Sequence, residues 1–366
     1  MRFTLIAVLW LTGFAGTPLF AGSLPWIVVS REGSGFMEQE TGRPFIPSGF
    51  NYDHDASGRL IEDYWDAEWA AIEGDFAEMK QLGANVVRIH LQFGRFMSAA
   101  DQPNPAALKQ LQNLLRLAES TGLYLDLTGL GCYHKPAVPE WYDLLSEADR
   151  WQAQARFWTA IADTCKASPA IFCYDLMNEP VVPGGQRKPR DWLGPAFGDK
   201  HFVQVIALDQ RSRPRPEIAQ AWIRTLTQAI RKVDPRHLVT VGLVDWSLDR
   251  PGLTSGFVPS QIAADLDFLC VHLYPKTGKL PEAFETLKGF QVGKPLVIEE
   301  TFPLGCTLPE FKSFLDGAAE RKIGVIGFYW GTPVDELKKS TSIGDALLRQ
   351  WLELFQQSRP PVAPPK

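Results

Sequence analysis

At 366 residues with 45 % apolar content, the chain can bury a full core, either as one large α/β barrel or as two average domains. A formal net charge of −5 is ordinary at this length and argues against nucleic acid or an anionic membrane as a main partner. The five cysteines, Cys132, Cys165, Cys173, Cys270 and Cys306, lack CxxC spacing and so suggest neither a disulfide framework nor a zinc site.

Arg2, the apolar run Phe3 to Ala15 and the small-residue end Leu19-Phe20-Ala21 read as a secretory signal peptide over 1–21, too short for a comfortable membrane span. The expected location is secreted or periplasmic, with no membrane association once the leader is removed. Trp26 to Ser30 and Pro44 to Pro47 flank a Gly-rich turn and predict a hairpin that plugs one end of a larger body.

A strand–helix alternation then begins. Predicted strands are Phe45 to Tyr52, Val86 to Leu91, Leu123 to Leu130, Ile171 to Asn178, Leu238 to Val244, Phe268 to Leu273, Pro295 to Ile298 and Val325 to Trp330. Between them, apolar residues at helical spacing, as in Ile72, Phe76, Met79 and Leu82, predict helices that often end at glycine. Apolar strands alternating with helices point to a closed parallel (β/α)₈ TIM barrel over 24–358, with a disordered Pro-rich tail over 359–366. No Gly-rich phosphate loop follows any strand, which counts against a doubly wound open sheet. The long connection 181–216 falls on the face where barrel enzymes keep their sites, and reads as a wall of a substrate groove.

Polar side chains gather at the C-terminal ends of these strands: Asn51, Arg88, Asn178 with Glu179, His272 with Tyr274, Glu299 with Glu300, and Trp330. Each alone has a bland explanation in turns or solvated strand ends. Their recurrence at the same end of different strands points to one shared site. Asp53-His54-Asp55 superficially suggests a metal site, but without further ligands at sensible spacing it reads as a substrate loop or plain turn; no metal and no cofactor are expected. Cys173 and Cys270 lie in apolar strands and read as buried thiols, while Cys132 and Cys306 follow strands and leave a bridge between their loops open.

Asn178-Glu179-Pro180, His272-x-Tyr274, Val297-Ile298-Glu299-Glu300, Trp330 and Arg88 together resemble the retaining β-glycosidases of clan A, most closely glycoside hydrolase family five, the cellulase and β-mannanase family. The resemblance implies an exported, monomeric hydrolase of β-linked glucan or mannan, with an oligo- or polysaccharide as its partner. Retention uses two carboxyl groups about 5–5.5 Å apart. By resemblance, Glu179 is the acid/base and Glu300 the nucleophile, with Glu299 as the alternative because strand alternation turns only one of the pair into the mouth. Arg88 and Tyr274 would support the nucleophile, Asn178 the sugar 2-hydroxyl and His272 the acid/base or the sugar, with Asn51 among the supporting residues. Trp330 would offer a flat platform under the ring. The family's histidine near the end of the third strand is replaced by Asp126-Leu127-Thr128-Gly129, and His134 is the candidate substitute. Mannanase, β-1,3-glucanase and exo-β-glycosidase specificities stay open, as does a barrel that binds polysaccharide without cleaving it.

Overall fold

The computed structural model describes residues 24–358; the expected signal peptide and Pro-rich tail lie outside the described residues. Eight strands form one sheet: β1 Ser48–Tyr52, β2 Val86–Gln92, β3 Tyr124–Gly131, β4 Ile171–Asn178, β5 Leu238–Gly242, β6 Leu269–His272, β7 Leu296–Glu300 and β8 Gly324–Gly327. Neighbours pair in parallel, and β8 pairs with β1. At the seam between β5 and β6, Val244 bridges His272 in parallel, and the His272 N–H donates to the Leu243 carbonyl at 2.7 Å. The ring therefore closes as expected. Its strands are buried almost throughout, which is why they read as near-continuous apolar runs.

Two boundaries differ from the sequence reading in ways that matter. β7 runs on to Glu300, so both glutamates belong to the strand and not to the loop after it. β8 stops at Gly327, three residues before Trp330.

Helices α1 Trp69–Leu82, α2 Pro105–Thr121, α3 Glu147–Cys165, α4 Arg215–Val233, α5 Leu280–Phe290, α6 Leu308–Glu320 and α7 Ile343–Gln357 surround the ring. Their ends follow local chemistry. Asn104 caps α2 ahead of a proline, and Thr307 with Glu310 forms a capping box on α6. α7 buries Leu348, Trp351, Leu352 and Phe355, and Trp351 comes so close to β8 that a Cβ on Gly327 would sit 1.9 Å from its ring.

The N-terminal segment is a three-stranded antiparallel meander, Ile27–Val29, Phe36–Glu38 and Pro44–Phe45. It covers the N-terminal ends of the barrel strands: Phe36 packs edge-on against Phe172 and Phe268, each at 5.1 Å, and Phe45 against Tyr124. Burying such rings contributes about 1.5–3 kcal/mol each relative to exposure. The expected plug is present, with one strand more than a hairpin.

The connection after β4 is folded. Pro180–Val181 pairs with Gln204–Val205, and buried Trp192 stacks on Arg150, whose guanidinium is sandwiched against Tyr142. Phe202 then meets Tyr133 at 5.0 Å and Phe328, just past β8, at 6.5 Å. The segment thus crosses the C-terminal mouth from β4 toward β8 and roofs the sector above β1 to β3.

Candidate active site

Arg88 on β2 is the hub. It is fully buried, and its two terminal nitrogens serve four acceptors: Nη1 donates to Asn51 Oδ1 at 2.9 Å and Glu300 Oε1 at 2.7 Å, Nη2 to Asp175 Oδ2 at 2.8 Å and Asn178 Oδ1 at 3.0 Å. Glu299 Oε2 lies a further 3.6 Å from Nη2. Only guanidinium has the planar fork for this many charge-assisted bonds.

Glu300 faces the mouth, its side chain 9 % exposed. Arg88 holds one carboxyl oxygen, and Tyr274 donates its hydroxyl to the other at 2.8 Å. Burial raises its pKa above the ordinary range against the pull of His272, Arg88 and Tyr274. Glu179 is the most open of the group, 18 % exposed, and sits just past β4 at φ 46°, a left-handed conformation that few non-glycine residues adopt. Oxygens of Glu179 and Glu300 and a nitrogen of His272 all lie within 4.8 Å of one another.

His272 stands between carboxylates. Its Nδ1 is 2.9 Å from Glu179 Oε1 and 3.5 Å from Glu300 Oε1, and its Nε2 is 3.3 Å from Glu299 Oε2. Burial opposes a charge on the ring, but Glu300, Glu179 and Glu299 outweigh it and raise the pKa to about 10. Glu299 is the mirror case: burial would raise it, yet Arg88 and His272 bring it down to about 2. Because the His272 pKa is raised on folding, its stabilising share is complete below about 6.5 and disappears as pH climbs through about 10. Thermal unfolding midpoints should therefore fall between neutral and alkaline pH in the wild type, and fall less steeply in His272→Gln.

Glu299 itself is wholly buried and points at Arg88 and His272 beneath the mouth, so the two neighbouring glutamates divide as alternation predicts. Asn51 braces the cluster, its Nδ2 donating to the Glu299 carbonyl at 2.9 Å. Asn178 is engaged at both ends, its Nδ2 donating to the Phe202 carbonyl at 3.1 Å.

Two expectations are corrected. Trp330 is 1 % exposed and packs at 5.6 Å against Tyr52; the chain leaves the strand at Gly327, and the partly exposed rings at that end are Phe328 and Tyr329. His134 lies in the loop after β3, where its partner is Asp199 at 3.6 Å. The imidazole inside the site is instead His90 on β2, which the sequence reading missed although it shares a face with Arg88 two residues before it. His90 Nε2 lies 3.1 Å from Asn51 Oδ1 and Nδ1 bonds the Tyr133 hydroxyl; burial and Arg88 lower its pKa to about 3, so the ring is neutral. Asp126 and Asp175, also missed, lie below Arg88 in the barrel interior.

Asp53 and Asp55 do not converge. Asp53 bonds His54 at 2.8 Å, while Asp55 closes a turn onto Ser57 and Arg59. All five cysteines are free, so the loops of Cys132 and Cys306 are not bridged; Cys173 and Cys270 are buried as expected. Among the described residues, two groups bring three possible metal-ligand atoms within 4.8 Å: Glu179, His272 and Glu300, and Asp126, Asp175 and Glu299. In the first, the neighbouring acids favour a charged His272 ring; in the second, Arg88 already supplies a cation.

A family model described as Cellulase (glycosyl hydrolase family 5) matches residues 39–331. Mannan endo-1,4-beta-mannosidase A of Podospora anserina is 26 % identical over 238 residues, 57 % of this chain and 55 % of that protein. The chain thus spans about half the length of that relative. Mannan endo-1,4-beta-mannosidase 8 of Oryza sativa subsp. japonica is 22 % identical over 297 residues, 67 % of this chain and 68 % of that one. Among solved structures, an exo-beta-1,4-mannosidase from Opitutaceae bacterium strain TAV5 superposes with TM-score 0.62 at 19 % identity, covering 90 % of this chain and 61 % of that chain. The beta-mannanase of the blue mussel Mytilus edulis superposes with TM-score 0.63 at 16 % identity, covering 92 % and 97 %. At such identities these superpositions speak for the fold.

Proposed function

The chain belongs to glycosyl hydrolase family 5, and from that premise we propose that it hydrolyses β-linked mannan with retention, Glu179 acting as acid/base and Glu300 as nucleophile. One observation carries the reading: Glu179 and Glu300 present carboxyl oxygens within 4.8 Å of each other at the C-terminal rim of the barrel. That spacing fits the roughly 5–5.5 Å of double displacement better than the roughly 6.5–9.5 Å of an inverting pair.

The chemistry follows from the contacts. Arg88 and Tyr274 hold the two oxygens of Glu300 in one orientation, so attack on the anomeric carbon needs little rearrangement. The bond from Glu300 to that carbon forms as the bond to the departing oxygen breaks. Glu179, on the open side, delivers a proton to that oxygen and then takes one from the water that releases the sugar. Charge leaving Glu300 in the first step is returned in the second, and Arg88 with His272 stays fixed to receive it. A barrel that merely binds polysaccharide has no use for a carboxylate oriented from both sides in this way.

Mannan is favoured over glucan because both curated relatives named above are mannan endo-1,4-beta-mannosidases. The apolar run Phe3 to Ala15 supports export. Reducing-end release should be measured on soluble mannans, β-glucans and xylans, with the anomer of the first product followed by NMR. The expected result is fastest release from mannan with the β anomer formed first. Turnover of glucan alone would move the substrate, an α anomer would overturn retention, and no release from any polymer would overturn the hydrolase reading.

A further inference from the structure

Beneath the mouth lies a second group of acids that the two-carboxylate mechanism leaves unused. Asp126 on β3, Asp175 on β4 and Glu299 on β7 are fully buried, with carboxyl oxygens within 4.8 Å of one another. Their donors are unequally shared. Asp175 accepts from Arg88 at 2.8 Å, Thr128 at 2.7 Å and the Gly242 N–H at 2.7 Å. Glu299 Oε2 faces Arg88 and His272, while its Oε1 has no hydrogen-bond partner. Asp126 has none on either oxygen.

An unpartnered carboxyl group beside the free oxygen of another is costly in a buried interior when both are anions. A single proton resolves both. Carried by Asp126, it turns that residue into a donor toward Glu299, whose carboxyl brings an oxygen within 4.8 Å of it. Asp126 is the cheaper place for it, because Asp175 and Glu299 have cationic partners of their own. Burial and the neighbouring Glu299 push Asp126 well above the carboxylate range, in agreement.

We propose that Glu299, oriented by a protonated Asp126, is a positioning residue that keeps both nitrogens of His272 protonated and so aims the Nδ1–H at the acid/base Glu179. The groups stand in line: Asp126 and Glu299 with carboxyl oxygens within 4.8 Å, Glu299 Oε2 to His272 Nε2 at 3.3 Å, His272 Nδ1 to Glu179 Oε1 at 2.9 Å. Gly242 on β5 is shaped for this packing, since a Cβ there would meet His272 Nε2 at 3.0 Å and Glu299 Oε2 at 3.1 Å. Glu299 is the acid that reaches Nε2, while Glu300 and Glu179 favour the charged ring from the Nδ1 side. Arg88 repels a charge on the ring, His90 is neutral, and Cys173 and Cys270 are held as thiols by burial. Glu300, at 3.5 Å, favours the charged ring but shares its Oε1 with Arg88.

The catalytic half of this inference rests on the glycosidase reading; the protonation half does not. Two measurements on the full chain separate them. Ring nitrogen chemical shifts of His272 at about pH 8, above the ordinary histidine pKa, should report an imidazolium in wild type and Asp126→Asn, and a neutral ring in Glu299→Gln. On a glycoside with a poor leaving group, Glu299→Gln should lower kcat about 10- to 100-fold, while an activated dinitrophenyl glycoside, which needs no acid, should lose no more than about 3-fold. Asp126→Asn should stay within about 2-fold on both, because an amide N–H replaces the carboxyl O–H; Asp126→Val should follow Glu299→Gln. A neutral ring in wild type, an unchanged ring in Glu299→Gln, equal losses on both leaving groups, or Asp126→Asn as damaging as Asp126→Val would each overturn the proposal. The dinitrophenyl rate also counts folded, nucleophile-competent enzyme, so misfolding does not imitate the expected pattern. If neither glycoside is turned over by wild type, the glycosidase reading falls and the nitrogen shifts alone decide the protonation claim.

Discussion

Glu300→Ala should reduce turnover of the preferred polymer by about ten-thousand-fold or more, since removing a group that forms the covalent intermediate deletes the pathway rather than weakening it. The barrel should survive the change. Glu300 is at the rim, and its loss leaves Arg88 with Asn51, Asp175 and Asn178 as partners and Tyr274 partly open to water. The cavity left by the carboxylate admits a small anion, so added azide should restore cleavage of an activated aryl glycoside and give the α-glycosyl azide. Product analysis with and without azide checks this. Wild-type-like turnover in the variant would move the nucleophile elsewhere, and Glu299 is poorly placed to receive it, lying wholly buried behind His272.

Arg88→Met should be the most destabilising single change in the site, by about 3–5 kcal/mol, the usual cost of removing one partner from a buried ion pair. Methionine fills much of the volume, so the loss is electrostatic. Asp175 and Glu299 would remain in the interior with one cation fewer, and protons would have to enter on folding to neutralise them. Denaturant unfolding should therefore show a lowered midpoint that partly recovers as pH falls, because the uncompensated acids then bind protons in the folded state. Arg88→Lys should restore little, as one ammonium cannot span four acceptors on β1, β4 and β7. A midpoint unchanged from wild type in Arg88→Met would mean that the interior acids are already neutral.

The alternation of apolar strands with amphipathic helices makes the ring legible in the chain, because a parallel sheet covered on both faces leaves that imprint. Glu179, Glu300, Arg88, His272 and Tyr274 were legible for a related reason: polar groups at the same end of separate strands must meet at one rim. His90 was within reach of the same argument, since alternation puts it on the face of Arg88. Asp126 and Asp175 were not. An aspartate inside an apolar strand acquires its meaning from partners distant in sequence, and Asp126 has its counterpart Glu299 on a strand across the barrel. Trp330 was misjudged because strand periodicity stops at Gly327, and beyond it side-chain direction depends on a backbone path that the residue order does not announce. The free cysteines belong to the same class: proximity in loop order is a poor guide to distance in space.

The meander beneath the barrel has a consequence for how the interior charges respond to solution conditions. Phe36, Phe45 and Ile27 stand with Phe172 and Phe268 in one apolar layer across the strand starts, and Tyr124 ties that layer to the Pro25 carbonyl at 2.7 Å. An apolar layer of this kind is a poor medium for dissolved ions, so it shields Arg88 from counterions on that side. Screening over a Debye length of about 8 Å at physiological ionic strength applies to exposed pairs such as Arg59 with Glu68, and not to a guanidinium sealed from below. Raising salt should thus weaken the outer ion pairs more than the buried pair of Arg88 with Asp175.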